Sequence, residues 1–297
     1  MDQQHTQTRQ HKFYDKHTVL GTIVLMILAY IIVTIPAAAI TGIICIILRV
    51  PNMTEGLTDY LCFGIIPMAL LMLLFYKLWF SPEYRGILFR GFTRTLRLCP
   101  VVLVFWVVLC LPDFLNGIYP HTFTLRVFSI ALTAGFSEEV IFRGLPLSYM
   151  KRQLRSEKNI PLIVIITGVV FGLIHITNIF SGATISASLL QGITASCIGI
   201  FFGALFMRGG NILVPILLHS LHDALLLSMQ EADEVTGILT EEATLSDIYP
   251  AVICAVLAVY GFFLIRKSKR GEICRMWAET WSQTTENLPE IPAETAN

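Results

Sequence analysis

The sequence predicts an all-α, polytopic integral membrane protein of about eight transmembrane helices with both termini cytoplasmic. Four observations carry this. The 297 residues are 55% hydrophobic and only 14% charged, where a soluble domain has about 25% charged residues. Mean hydropathy is +0.68. Apolar runs recur along the chain at about the 20 residues a span needs. Basic clusters fall in alternate links, as the positive-inside rule requires. The formal net charge is +0, so nothing favours nucleic acid. The expected location is the cell membrane, in multi-pass form.

Taken in order, residues 1–17 form a polar leader with Arg9, Lys12 and Lys16. The first span runs over 18–48 and holds Pro36, which predicts tilt or a kink. It is too long for the apolar region of a cleavable signal and reads as an uncleaved first span. A second span covers 57–80. A link with Arg85, Arg90, Arg94 and Arg97 leads to a third over 98–115. These three spans make an N-terminal membrane region, 18–120. The fourth segment, 122–150, begins a membrane core that extends over 121–230. A basic link of Lys151, Arg152, Arg155 and Lys158 precedes the fifth span, 160–180. The sixth is 183–207, closed by Arg208-Gly209-Gly210, and the seventh 211–229. An acidic loop, 231–247, leads to the eighth span, 248–265, and a basic stop to 270. Residues 271–297 are expected to be a disordered cytoplasmic tail. All basic clusters then share one side of the bilayer.

The seven cysteines, Cys45, Cys62, Cys99, Cys110, Cys197, Cys254 and Cys274, are odd in number and contain no CxxC. They read as small buried hydrophobes.

The fourth segment contains Ser137-Glu138-Glu139-Val140-Ile141-Phe142-Arg143. Charges at that depth are costly and mark function. On a helix, Glu139 and Arg143 are i and i+4, the favourable pairing order. Glu138 points elsewhere and stays uncommitted, so it is the candidate general base. Phe171 and His175 share a face of the fifth span, with Asn178 close to it. His219 and Asp223 share a face of the seventh. His222, on the same helix, is expected to pack against a neighbour. At about 1.5 Å per residue, Glu138 lies ~18 Å, His175 ~22 Å and His219 ~12 Å from the cytoplasmic end of its helix. The three could meet in one layer at middle depth.

Two chemistries fit. In one, Glu138 and His175 activate a water while His219 and Asp223 polarise a scissile carbonyl. In the other, Glu138, His175 and His219 hold a divalent metal such as zinc. No HExxH occurs, which excludes a zincin helix. An ionised aspartate only accepts hydrogen bonds, so Asp223 must be protonated to donate. Otherwise it orients His219 or supports a metal.

These motifs resemble those of the CAAX protease and bacteriocin-processing family (CPBP, or Abi), marked by EExxxR, FxxxH and Hxxx(N/D) on successive membrane helices. They stand here as Glu138-Glu139…Arg143, Phe171…His175 and His219…Asp223. Asn211, opening the last of these helices, also looks familial. The resemblance covers roughly 125–230. It implies a polytopic peptidase in which the first glutamate and the histidines are catalytic, cutting a membrane-associated protein or peptide. Its eukaryotic members remove three residues from prenylated CaaX proteins, and bacterial members are linked to bacteriocin maturation or self-immunity. Both metal-bound and metal-free mechanisms are held for the family, so the metal question stays open. Two other readings remain. One is a non-enzymatic scaffold or immunity protein whose buried charges fix helix packing. The other is an ion- or proton-coupled transporter.

Overall fold

The computed structural model describes residues 16–80, 90–231, 235 and 239–280. Among these there is no strand. The expected leader, except its last two residues, part of the 81–97 link, part of the acidic loop and the end of the tail lie outside the described residues. Both chain termini lie outside them as well.

The helix α1, Thr18–Ile47, runs through Pro36. Met26, Ala29, Val33, Ala37 and Cys45 are buried along one stripe. Ile31, Ile35, Ile43 and Ile46 are exposed on the rest of its surface. A face of large aliphatics turned outward along a whole helix suits lipid rather than water. Next, α2 (Met53–Asp59) is capped by the Asn52 side chain and meets α3 (Leu61–Phe80) at a 48° bend. Three short helices follow: α4 (Phe92–Leu96), α5 (Pro100–Leu109) and α6 (Leu111–Leu115).

The fourth segment is one bent-through element. It comprises α7 (Leu125–Thr133), π-helical turns at Ala134–Glu138 and Val140–Gly144, and α8 (Pro146–Gln153). Thr124 caps it by accepting from Val127 N–H at 3.3 Å. The π turns place the acidic motif on a widened stretch of backbone, a feature frequent at functional sites. The expectation of a plain α-helix over 122–150 is corrected to this extent.

Then come α9 (Ile160–His175), a 3-10 turn (Ile176–Ser181), α10 (Ile185–Gly209), α11 (Leu213–Leu227), α12 (Ile248–Leu264) and α13 (Lys267–Thr280). Gly210, at φ 77°, ends α10 with its N–H on Phe206 O at 2.8 Å, a left-handed stop that suits glycine. Asn211 closes that turn against the next helix. Its Oδ1 accepts from Val214 N–H and its Nδ2 donates to Arg90 O.

Among the described residues, four helices are long and apolar enough to cross a membrane, or five if the bent α2–α3 pair is one span. Each of the eight expected segments contains helix, but run length overstates several of them. α5 has 10 residues, about 15 Å of rise, and α11 has 15. The fourth segment is helical but charged. The expected disorder over 271–280 is also corrected. There α13 continues to Thr280 and buries Ile273 and Trp277 in the main core. Trp277 Nε1–H donates to Met207 O at 2.9 Å, and its ring meets Phe206 edge-on. All seven thiols are free.

Candidate active site

The site is assembled by the π-helical turns, α9 and α11, with α10 behind them. The Glu139–Arg143 pair forms at 2.9 Å, as the i, i+4 spacing requires, and both side chains are 0% exposed. Glu139 has a further partner that its spacing does not reveal. His219, eighty residues away, places Nδ1 2.9 Å from Glu139 Oε1, the same oxygen that accepts from Arg143 Nη1. A carboxylate facing a guanidinium accepts, so Nδ1–H donates to it. The imidazole is thereby oriented, and Nε2 is turned toward Glu138 Oε2 at 3.8 Å and Asp223 Oδ2 at 3.5 Å.

Glu138 and Asp223 form the accessible edge of this cluster, with 25% and 23% of their side chains exposed, against 7% for His219. Aromatic rings close the other sides. The Arg143 guanidinium lies 4.1 Å over the Phe171 ring. Phe171 and Phe202 stand 5.9 Å and 5.5 Å from the His219 ring. A cation over an aromatic face in a water-poor setting is stabilised by about 2 kcal/mol. Gly135, in the first π turn, makes the close approach to α11 feasible. A Cβ there would stand 2.1 Å from Ser220 Oγ and 2.9 Å from Ile216 O.

His175 joins the cluster through Phe171, with ring centroids 4.7 Å apart. Its Nδ1 lies 3.0 Å from Phe171 O. A carbonyl can only accept, so Nδ1 carries the hydrogen and Nε2 keeps its lone pair. That tautomer suits a proton acceptor. Asn178 is not bonded to the cluster. Its Nδ2 donates to Gln191 Oε1 at 2.9 Å. His222 packs against Phe105, ring centroids 5.9 Å apart, away from the acidic edge.

Among the described residues no group of three His, Cys, Asp or Glu side chains converges as a metal site. The bond from His219 Nδ1 to Glu139 leaves Nε2 free to ligate, but the Phe171 ring packs against both His175 and His219 rather than leaving them to face one point. The set Glu138, His175 and His219 does not fit a metal in this arrangement.

An apolar cleft of about 460 Å³, lined by Trp106, Phe123, Phe128, Leu221 and Leu225, lies on the face of α11 turned away from His219 and Asp223. It is not the site.

The three motifs do not reveal Gly135 or Phe202. Gly135 carried a usable signal, a small residue in an apolar helix at a close approach. Phe202 carried none.

Residues 120–225, a little over a third of the chain, match the family model described as type II CAAX prenyl endopeptidase Rce1-like. The resemblance carried by the three motifs is thus borne out over the segment that builds the site. No curated protein and no solved structure matched the chain.

Proposed function

We propose that the protein is an intramembrane endopeptidase that hydrolyses a peptide bond of a membrane-associated protein or peptide by glutamate-activated water. One observation carries the reading. Glu138 from the first π turn comes together with His219 and Asp223 of α11, and Glu138 alone of the two adjacent glutamates is left without the guanidinium. The match of residues 120–225 to a protease family supports it.

In this reading Glu138 takes a proton from water, and His175 Nε2 serves as a second acceptor. The oxygen of that water attacks the scissile carbonyl carbon. His219, with Nδ1–H fixed by Glu139, donates from a protonated Nε2 to the developing oxyanion. An imidazolium there has Glu138, Glu139 and Asp223 around it to offset its charge. Asp223 in this scheme orients Nε2. Collapse of the tetrahedral intermediate breaks the C–N bond, and Glu138 returns its proton to the leaving amine. Positioned acid–base catalysis of this kind contributes about 10²–10⁴ in rate. The substrate class favoured by the family description is a prenylated C-terminal CaaX segment.

Glu138→Gln and His175→Ala are the test, with purified protein in bilayer vesicles and a fluorescent prenylated CaaX peptide. Both variants are expected to accumulate in the membrane like the unaltered protein. Loss of cleavage should be on the order of 10²-fold or more for Glu138→Gln. Full activity in Glu138→Gln would refute the mechanism. Cleavage of an unprenylated membrane peptide, but not the prenylated one, would keep the mechanism and change the substrate. If the unaltered protein cleaves neither, the scaffold reading takes its place.

A further inference from the structure

The helix α10 carries none of the three motifs, yet its backbone forms one wall of the guanidinium pocket. Among the described residues Arg143 makes a single hydrogen bond in that pocket, from Nη1 to Glu139. Its Nε and Nη2 have no hydrogen-bond partner among the described residues. The guanidinium is therefore placed largely by shape, between the Phe171 ring face at 4.1 Å and the backbone of Gly199. A Cβ at Gly199 would stand 2.7 Å from Arg143 Nη2, 3.0 Å from Phe171 Cδ1 and 3.0 Å from Gly168 Cα. Two of those three neighbours belong to the network that holds His219.

We propose that Gly199 is a positioning residue of the catalytic cluster. Its bare Cα is the surface on which Arg143 rests, and through Arg143 and Glu139 it fixes where His219 presents Nε2. The link is short because one atom carries it. Glu139 Oε1 accepts from both Arg143 and His219. A side chain at position 199 pushes the guanidinium, the guanidinium displaces Oε1, and His219 loses its orientation. The inference rests on the peptidase reading for its kinetic arm only.

Two glycines of the same helix separate this role from packing in general. At Gly203, one turn on, a Cβ meets nothing closer than Thr167 Oγ1 at 3.5 Å, an ordinary contact. At Gly209, near the far end of α10, it would meet Thr95 Oγ1 at 2.1 Å, a severe clash remote from the cluster. The experiment compares Gly199→Ala, Gly203→Ala and Gly209→Ala in purified full-length protein. It measures melting temperature, kcat and KM on a cleaved peptide, and the rate of diethyl pyrocarbonate acylation of each histidine by mass spectrometry. In Gly199→Ala, kcat should fall roughly tenfold to a hundredfold, the range for a reacting group misplaced by about 1 Å, with KM unchanged. His219 should be acylated several-fold faster. Gly209→Ala should melt earlier while its kcat per folded enzyme and His219 acylation hold. Gly203→Ala should match the unaltered protein in all respects. The inference is overturned if His219 acylation in Gly199→Ala stays at the unaltered rate, or rises no more than in Gly209→Ala. If no peptide is cleaved by the unaltered protein, the peptidase reading fails, and the acylation arm still decides the role of Gly199.

Discussion

Two arginine–glutamate pairs in this protein have the same bond lengths and opposite meanings. Arg143 meets Glu139 at 2.9 Å with both side chains 0% exposed. Arg208 meets Glu272 through two bonds of 2.9 and 2.8 Å, with Glu272 46% exposed. The second pair has the better geometry, a bidentate fork. The first has the greater consequence, because removing either partner leaves the other's charge buried without its ion pair. Burial decides what a salt bridge is worth, and geometry alone does not.

The comparison breaks first at Arg143. Replacing it by alanine leaves Glu139 buried beside His219 without its guanidinium. Breaking one partner of a buried pair costs about 3–5 kcal/mol, so Arg143→Ala should be severely depleted from membranes, as read by immunoblot and by melting in detergent. The double change Glu139→Leu with Arg143→Met removes both charges and should recover most of that loss, since apolar replacements of similar volume are often neutral. It should not recover cleavage, because His219 Nδ1–H then has no acceptor. Recovery of activity along with stability would show that Glu139 serves packing only.

The next test concerns the helix that carries Glu272. Trp277→Phe keeps an aromatic ring against Phe206 but removes the N–H that bonds Met207 O. A lost hydrogen bond to a buried carbonyl costs about 1–3 kcal/mol. Hydrogen exchange over Lys267–Thr280 should quicken accordingly, while the acidic cluster and cleavage stay as they are. Unchanged exchange would mean that α13 is held by its ion pair after all.

The contrast also marks what the sequence could reveal. The i, i+4 spacings made Glu139–Arg143, Phe171–His175 and His219–Asp223 legible, because each pair lies on one helix. The bond between Glu139 and His219 was not legible, because it joins residues eighty positions apart and depends on how α11 packs against the π turns. The π turns themselves have no signature in the residues. The count of about eight spans is not confirmed by helix length, for a related reason. Hydropathy measures runs, and a break such as the one at Cys110, which leaves α5 only 10 residues long, does not interrupt a run. For α13 the signal was present and outweighed by composition. Ile273, Met276 and Trp277 are spaced at three and four, one face of a helix, inside a stretch rich in Lys, Arg and Glu.

The smallest effect is expected at the exposed pair. The hydrogen bond from Arg208 holds the Glu272 carboxyl below its ordinary value, with the positive charges of Arg208, Lys269 and Arg94 adding to it. Because the folded value is the depressed one, the contribution is complete above the unfolded carboxylate value of about 4.3 and is lost as pH falls through the folded value. Glu272 is nearly half exposed, so the stabilisation is screened to a few tenths of a kcal/mol up to about 1. Hydrogen exchange in α13 should therefore rise modestly only below about pH 4, where the carboxylate is protonated. Glu272→Gln should show that modest rise already at neutral pH and lose the further pH dependence. High salt should mimic it at this pair and leave Arg143–Glu139 unaffected, because ions screen the exposed pair and have no access to the buried one.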